Sequence, residues 1–189
     1  MGLTEEPAGV VTDRIFLVGP MGAGKTTVGK KLADYLGFEF LDSDHEIEAR
    51  TGVDIPFIFE KEGEAGFRAR ETQVLDQLTG RPQLVLATGG GAVLAEVNRQ
   101  HLHARGFVVY LRASVEQQCA RTERSGHRPL LATGNRRETL TRLFAEREPL
   151  YQAVAHLVVV TEGKNAKQIA RDIAQQVRQP QLPLNPAHV

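Results

Sequence analysis

The part of the sequence that most constrains the fold lies near its start, where a short apolar run meets a glycine-rich loop. Ile15 to Val18 is apolar and is followed at once by the segment GPMGAGKT, residues 19–26, which matches the pattern GxxxxGK[ST]. A helical pattern comes next and is ended by Gly37; its apolar face consists of Val28, Leu32, Tyr35 and Leu36. Strand, loop and helix in this order predict a phosphate-binding loop (P-loop).

The chemistry of this loop follows from its residue types. Glycines let backbone N–H groups turn inward around phosphate oxygens, and the positive end of the following helix points at them. We expect Lys25 to reach the β and γ phosphates of a nucleotide and the Thr26 hydroxyl to bind Mg²⁺. The predicted ATP-binding residues of this segment are Gly22, Ala23, Gly24, Lys25, Thr26 and Thr27.

Four further apolar runs predict the rest of a sheet. Each is short and almost free of charge, which is typical of strands buried on both faces of a parallel sheet; they are Phe38 to Leu41, Leu84 to Ala87, Phe107 to Leu111 and Leu157 to Val160. Helical patterns lie between them. Strand then helix, five times, predicts an α/β fold with a five-stranded parallel sheet and helices on both faces. Ligands in such folds bind beyond the C-terminal strand ends.

Two carboxylates follow the second predicted strand, in the segment Asp42-Ser43-Asp44. Ser43 and Glu46 have the spacing of a capping box, which predicts a helix starting at Asp44. The positive helix end should keep both carboxylates ionised, so that they can hold Mg²⁺ or accept a proton. Plain N-capping is the alternative explanation for these residues.

The third predicted strand is followed by Gly89, Gly90 and Gly91. Without side chains, this turn would admit a ligand close to its backbone, although a tight connection alone would also explain it. A motor-type ATPase would need an acid at the end of this strand. The guanine motif NKxD of GTPases is also missing, since residues 164–167 read KNAK. A small-molecule kinase is therefore favoured.

Three arginines are candidate site residues. Arg68 could simply pair with Glu64 or Glu71, at helical spacings of four and three. Arg147 follows Leu143 and Phe144 on an apolar helix face that runs towards Pro149, where an unpaired charge needs a partner. Arg128 lies in a loop-like stretch whose hydrophobic residues have no periodic partner, as in a lid; an ordinary surface loop is the alternative.

Composition limits the partners and the domain count. Lys plus Arg and Asp plus Glu both number 23, so the chain has no overall field to hold nucleic acid or an anionic membrane. The one cysteine, Cys119, excludes an internal disulfide, and no membrane span or signal peptide is recognisable, so we expect a cytoplasmic protein. A chain of 189 residues supports one core, which we expect over residues 13–178, with flexible ends at 1–12 and 179–189.

Taken together, these segments resemble the shikimate kinase family. The motifs GPMGAGKTT, DSD, EAGFRARE, LATGGG, HRPLL and EREPLY occur in the family's order and spacing across residues 12–178. The resemblance implies a P-loop kinase fold with a mobile lid at about residues 122–134. It also implies transfer of the ATP γ-phosphoryl group to the 3-hydroxyl of shikimate, in the biosynthesis of aromatic amino acids.

The resemblance implies roles for the substrate-binding residues. Asp44 would bind the shikimate hydroxyls and orient or deprotonate the attacking one, while Arg68 and Arg147 would hold the carboxylate. The backbone amides of Gly89, Gly90 and Gly91 would close on the substrate, and Phe59 and Phe67 would form an apolar floor.

The resemblance also implies the nucleotide-binding residues. Asp42 would hold Mg²⁺ through water, and Arg128 would move in with the lid as a third catalytic residue beside Lys25 and Asp44. Arg121 would stack on adenine, with Lys164 on the other side. ATP and shikimate are the expected partners, Mg²⁺ is the expected cofactor, and a monomer is expected.

Two alternatives stay open on the sequence. A gluconate kinase would have a similar size and loop, but TGGG together with GFRxRE is not expected there. A kinase-like scaffold that binds partners without catalysis would have lost part of the catalytic set, whereas every position is filled here.

Overall fold

A computed structural model describes residues 12–123 and 135–178. Its sheet has five strands, all parallel, in the order β2-β3-β1-β4-β5. They are β1 (Arg14–Val18), β2 (Glu39–Asp42), β3 (Leu84–Ala87), β4 (Phe107–Arg112) and β5 (Leu157–Val160). The predicted α/β fold with a five-stranded parallel sheet is confirmed. Strand β2 is displaced by one residue from its predicted position, so that Asp42 itself ends the strand.

Helices connect successive strands, as the sequence pattern predicts. They are α1 (Lys25–Leu36), α2 (Ser43–Thr51), α3 (Ile55–Leu78), α4 (Glu96–Arg105), α5 (Val115–Thr122), α6 (Arg136–Val154) and α7 (Ala166–Arg178). Helix α3 is kinked at Gly63, and α6 continues through Pro149 for another turn. None of these helices, within the described ranges, is long and apolar enough to cross a bilayer.

Two apolar layers hold the helices against the sheet, and alternate residues of β1 serve one layer each. Phe16 and Val18 belong to the layer that includes α3, α4 and the end of α6. Ile15 and Leu17 belong to the layer beneath α1 and α7. Strands β1, β3 and β4 are buried on both faces, as predicted.

The prediction of burial on both faces is wrong for the two edge strands. Val158 and Val160 of β5 are 48% and 51% exposed, and the residues of β2 are exposed or half-buried. Each edge strand has a neighbour on one side only, so fewer side chains are available to cover it. An apolar run alone does not distinguish a central strand from an edge strand.

The start of α2 also differs from the prediction. Asp42, not Ser43, is the N-cap, and its side chain accepts a hydrogen bond from the Asp44 amide at 3.1 Å. The Ser43 hydroxyl instead accepts a hydrogen bond from the Gly89 amide at 3.0 Å. The predicted capping box at Ser43 and Glu46 is therefore wrong, because β2 runs one residue further and shifts the cap with it.

Parallel pairing brings three strand ends together. In the register, Ala87 of β3 lies beside Leu17 of β1 and Asp42 of β2. The segments that follow β1, β2 and β3 therefore meet at one edge of the sheet. These are the P-loop, the Asp42–Asp44 segment and the three glycines, which the sequence singled out.

Gly29 of α1 tests the packing of this helix on the sheet. A methyl group there would lie 2.5 Å from a ring carbon of Phe40 and 3.2 Å from Leu17. We expect Gly29→Ala to lower the free energy of unfolding by about 1–3 kcal/mol through overpacking, although alanine favours helices. Gly80→Ala is the control, because its methyl group would meet nothing closer than 3.6 Å. Thermal or urea unfolding measures both, and equal stability of the two variants would contradict this packing.

Candidate active site

The P-loop encloses the Lys25 ammonium group. Lys25 Nζ donates to the carbonyl oxygens of Gly19 at 2.7 Å and Pro20 at 2.8 Å. Gly24, at φ 91°, precedes α1 and provides no side-chain cap for its first turn. The amides at the start of α1 therefore remain open to an anion, as the loop pattern predicts.

Thr26 and Asp42 come together from the ends of two strands. The Thr26 hydroxyl donates to Asp42 Oδ2 at 2.7 Å, while Asp42 Oδ1 caps α2. A hydroxyl and a carboxylate are oxygen ligands of the kind that Mg²⁺ prefers, so these residues fit the predicted ion. Within the described residues, no group of three or more His, Cys, Asp or Glu side chains could hold a metal. Such a sparse protein set suits an ion that keeps waters and substrate phosphates as ligands.

Asp44 departs from the prediction that the helix end keeps it ionised. Burial raises the pKa of its carboxyl group to about 7, and the nearby charges of Asp42 and Glu71 add to the rise, while Lys25 and Arg68 oppose it. Its Oδ1 atom is buried and has no hydrogen-bond partner among the described residues. Desolvation and like charge thus outweigh the helix end.

Glu71 is a buried carboxylate that the sequence analysis treated only as a possible partner of Arg68. It has no exposed surface, and its Oε2 atom accepts from Arg68 Nη1 at 2.7 Å. Arg68 Nη2 also contacts Glu64 Oε1, at 3.0 Å. The ion pairs of Arg68 with Glu64 and Glu71, which the sequence offered as an alternative to a role in substrate binding, are therefore both present. Glu71 could have been found from its spacing, since it lies four residues after Phe67 and four before Leu75 on the apolar face of α3.

Arg147 is buried without a direct salt bridge. Its side chain lies on the apolar face of α6, as predicted, and the residue is 5% exposed. The Nε atom has no hydrogen-bond partner among the described residues, while the Tyr151 hydroxyl lies close to the guanidinium. The Glu71 carboxyl group is near enough for the Arg147 charge to oppose the rise of its pKa. Because burying a guanidinium without a direct ion pair is costly, Arg147 is a candidate for binding an anion.

The three glycines form the wall between these charges and the P-loop. A methyl group at Gly89 would lie 2.6 Å from Asp44 Oδ1 and 2.7 Å from Glu71 Oε1, so both carboxyl oxygens face the same point. A methyl group at Gly91 would overlap the Arg68 guanidinium, and one at Gly90 would touch the Met21 amide at 3.4 Å. The turn needs glycine because charged side chains and another backbone lie against it.

The remaining predicted residues fall into three groups. Phe59 and Phe67 stack with ring centroids 4.9 Å apart, and the Arg68 guanidinium lies 5.1 Å from the Phe67 ring. Arg121 donates to the Gly22 carbonyl at 2.9 Å and so lies against the P-loop. Lys164 is exposed and pairs with Asp172 at 2.8 Å, with no contact that joins it to the loop in the described chain.

Arg128 and most of the predicted lid, like the two predicted flexible ends apart from Thr12, lie outside the described residues. Thr122, at the start of the predicted lid, is the last residue of α5. The role of Arg128 stays a prediction.

A family model described as shikimate kinase matches residues 21–178. The chain belongs to the shikimate kinase family. A curated shikimate kinase from Halorhodospira halophila is 59% identical over 162 residues, which cover 86% of this chain and 92% of the relative. The structure of a shikimate kinase from Acinetobacter baumannii in complex with shikimate is 56% identical and superposes with a TM-score of 0.86, covering 87% of this chain and 92% of that one.

The gluconate kinase alternative receives no support beyond the fold. A gluconokinase from Sinorhizobium meliloti is 17% identical, with a TM-score of 0.50, over 87% of this chain and 90% of its own. At that identity the likeness reflects a shared P-loop architecture. Membership of the shikimate kinase family rests on far higher identity across the same length.

Asp44→Asn should separate stability from activity. Because the pKa of Asp44 is about 7 in the folded chain against an ordinary value of 3.8, its ionisation opposes folding. The cost appears as pH rises from about 4 to about 7 and persists above that. We therefore expect Asp44→Asn to be more stable than the wild type at about pH 8, and to lose roughly 10²-fold or more in turnover.

Urea unfolding of the ligand-free proteins across this pH range measures the effect. Asp34→Asn, at an exposed position of α1, is the control and should show no such pH-dependent gain. A loss of stability in Asp44→Asn with normal turnover would make Asp44 an ordinary helix-start charge.

Proposed function

We propose that this protein is a shikimate kinase that transfers the γ-phosphoryl group of ATP to the 3-hydroxyl of shikimate. The products would be ADP and shikimate 3-phosphate, an intermediate of aromatic amino-acid biosynthesis. The observation that carries the proposal is Arg147, a buried guanidinium without a direct salt bridge. It lies close to Glu71 and Tyr151, which adjoin the three-glycine turn. Shikimate provides a carboxylate for this cation and hydroxyls for the carboxyl group of Asp44.

The carboxylate end of the substrate would bind between Arg147 and Arg68. A guanidinium donates two parallel hydrogen bonds to a carboxylate, which fixes orientation as well as charge. Arg68 is already held by Glu71 and Glu64 and rests against Phe67. Phe59 and Phe67 would lie under the ring, and the amides of Gly89, Gly90 and Gly91 would close on the substrate.

The hydroxyl end would face Asp44 and the P-loop. An ionised Asp44 accepts the hydrogen bond of the 3-hydroxyl and turns its oxygen towards the γ-phosphorus. The new P–O bond forms as the bond to the bridging oxygen breaks, and the electron pair leaves with ADP. The hydroxyl proton passes to Asp44 or to the transferred phosphoryl group. Orientation and charge stabilisation account for most of the catalysis in such transfers.

The nucleotide would lie along the P-loop, with Lys25 on its β and γ phosphates and Arg121 beside its base. Thr26 directly, and Asp42 through water, would hold Mg²⁺. Mg²⁺ held by these residues would supply positive charge that neutralises the phosphate oxygens. A cytoplasmic location and a monomeric state stay predictions from the sequence.

The direct test of the function is an ADP-release assay with shikimate, gluconate and AMP as acceptors. Of the three acceptors, we expect only shikimate to support turnover. The turnover should be lost in Lys25→Met, since Lys25 provides the positive charge at the β and γ phosphates. Lys31→Met, at an exposed position of the same helix, should keep wild-type turnover. Preference for gluconate or AMP, or full turnover in Lys25→Met, would overturn the proposal.

Arg147→Lys tests the carboxylate site. Lysine keeps the charge but loses the two-pronged geometry, so the KM for shikimate should rise by about tenfold or more while the KM for ATP stays nearly constant. Arg137→Lys is the control, because Arg137 lies on the same helix in a solvent-exposed pair with Glu116. If both KM values of Arg147→Lys rose together, the residue would serve folding or the nucleotide instead.

A further inference from the structure

Helix α6 carries a second buried polar side chain into the site. Because the helix continues through Pro149 to Val154, Tyr151 lies one turn beyond Arg147 on the same face. Tyr151 is 1% exposed, and its hydroxyl donates a hydrogen bond to the carbonyl oxygen of Gly90. The same hydroxyl also lies close to the Arg147 guanidinium. Its ring stacks on that of Tyr110, with centroids 5.1 Å apart. The side chain is thus fixed by packing and aimed at the middle of the three-glycine turn.

The hydrogen bond determines the direction of a neighbouring amide. The Gly90 carbonyl and the Gly91 N–H belong to one planar trans peptide, so they point in opposite directions. Holding the carbonyl towards Tyr151 therefore directs the Gly91 N–H away from α6. Within the described chain, neither the Gly90 nor the Gly91 amide donates a hydrogen bond, so both remain free for a ligand.

Glycine needs such a restraint more than other residues do, because its backbone has the largest set of accessible conformations. The first glycine of the turn is fixed from the other side, where the Gly89 amide donates to Ser43 Oγ at 3.0 Å. The Gly89 carbonyl accepts from the Ala92 amide at 3.1 Å. Tyr151 is the side chain that restrains the peptide between Gly90 and Gly91.

We propose that Tyr151 is a positioning residue for the substrate carboxylate. Its hydroxyl holds the Gly90–Gly91 peptide in the orientation in which the turn meets the Arg68 guanidinium and presents free amides beside it. The inference rests on the proposed function and assigns a role to Tyr151, the last residue of the motif EREPLY, for which the sequence predicted none. Burial raises the pKa of the Tyr151 phenol, so it stays protonated and acts as a donor throughout the working pH range.

Tyr151→Phe removes the donor and keeps the ring. The Gly90 carbonyl then loses its partner, and the turn is free to adopt peptide orientations that do not fit the carboxylate. We expect the dissociation constant and the KM for shikimate to rise by about tenfold, the scale of one lost hydrogen bond at a half-buried group. The KM for ATP and kcat should stay within about twofold of the wild type, because the P-loop and Asp44 are unchanged.

Tyr110→Phe is the matched control. Tyr110 is buried and stacked in the same pair, but its hydroxyl has no hydrogen-bond partner among the described residues. Losing that hydroxyl should leave both KM values unchanged. Calorimetric titration with shikimate, steady-state kinetics and melting curves, all well below the melting temperature, would be measured on the wild type and both variants.

Three results would overturn the role of Tyr151: unchanged shikimate affinity in Tyr151→Phe, an equal rise of the two KM values, or the same rise in Tyr110→Phe. The first would mean that the turn needs no donor. The second would indicate a general disturbance of the site, and the third an effect of aromatic packing. A wild type without shikimate-dependent turnover would instead refute the proposed function, so the two failures are distinguishable.

Discussion

Charge buried at one edge of the sheet is the constraint on which the site depends. Glu71 has no exposed surface and one of its oxygens accepts from Arg68, while Arg147 forms no direct salt bridge. Among the described residues, Glu71 Oε1, Asp44 Oδ1 and Arg147 Nε are buried without a hydrogen-bond partner. Burying such groups costs free energy, and the two apolar layers around the sheet offset it. A ligand with a carboxylate at one end and hydroxyls at the other would provide an ion pair for Arg147 and hydrogen bonds for the carboxyl group of Asp44. The buried charges at this edge of the sheet therefore lower stability, as is common where a protein binds a ligand.

Asp42 links the nucleotide and substrate halves of this site. One carboxylate oxygen accepts the Thr26 hydroxyl at the start of α1, and the other caps α2 through the Asp44 amide. The same residue ends β2 and pairs with Ala87 of β3. A single side chain therefore fixes how the P-loop, the Asp44 carboxyl group and the sheet lie relative to one another.

Local patterns in the sequence predict the succession of strands and helices along the chain and most of the candidate site residues. The P-loop is set by glycines whose backbone geometry depends on neighbours in sequence, and Arg147 was recognisable as a charge on an apolar helix face. Glu71 is likewise a charged residue on an apolar helix face, and it could have been recognised in the same way. Helical spacing alone places Arg147 and Glu71 on these faces.

The features that the sequence did not predict depend on distant contacts. The spacing predicts Ser43 as a cap, but its hydroxyl accepts from Gly89, which lies 46 residues away in the chain. The protonation of Asp44 depends on Glu71 and on burial, both of which arise only when the strand ends meet. The motif EREPLY contains Tyr151 but does not predict its contact with Gly90, because α6 continues through Pro149, a residue type that normally ends or kinks a helix. Secondary-structure propensity and residue spacing are local properties, so they do not predict contacts between residues that are distant in the chain.

We propose that Arg147, which is buried, and Arg68, which is held by Glu71 and Glu64, bind the carboxylate of the substrate. The most direct measurement compares the melting temperature of the wild type with saturating shikimate and with shikimate methyl ester, which has the same ring and hydroxyls but no negative charge. A ligand that binds the folded state raises the melting temperature by an amount that grows with the logarithm of its concentration relative to its dissociation constant. We expect shikimate to raise it and the ester to leave it nearly unchanged at the same concentration. Equal stabilisation by the acid and the ester would contradict the account, because Arg147 and Arg68 would then not be binding a carboxylate.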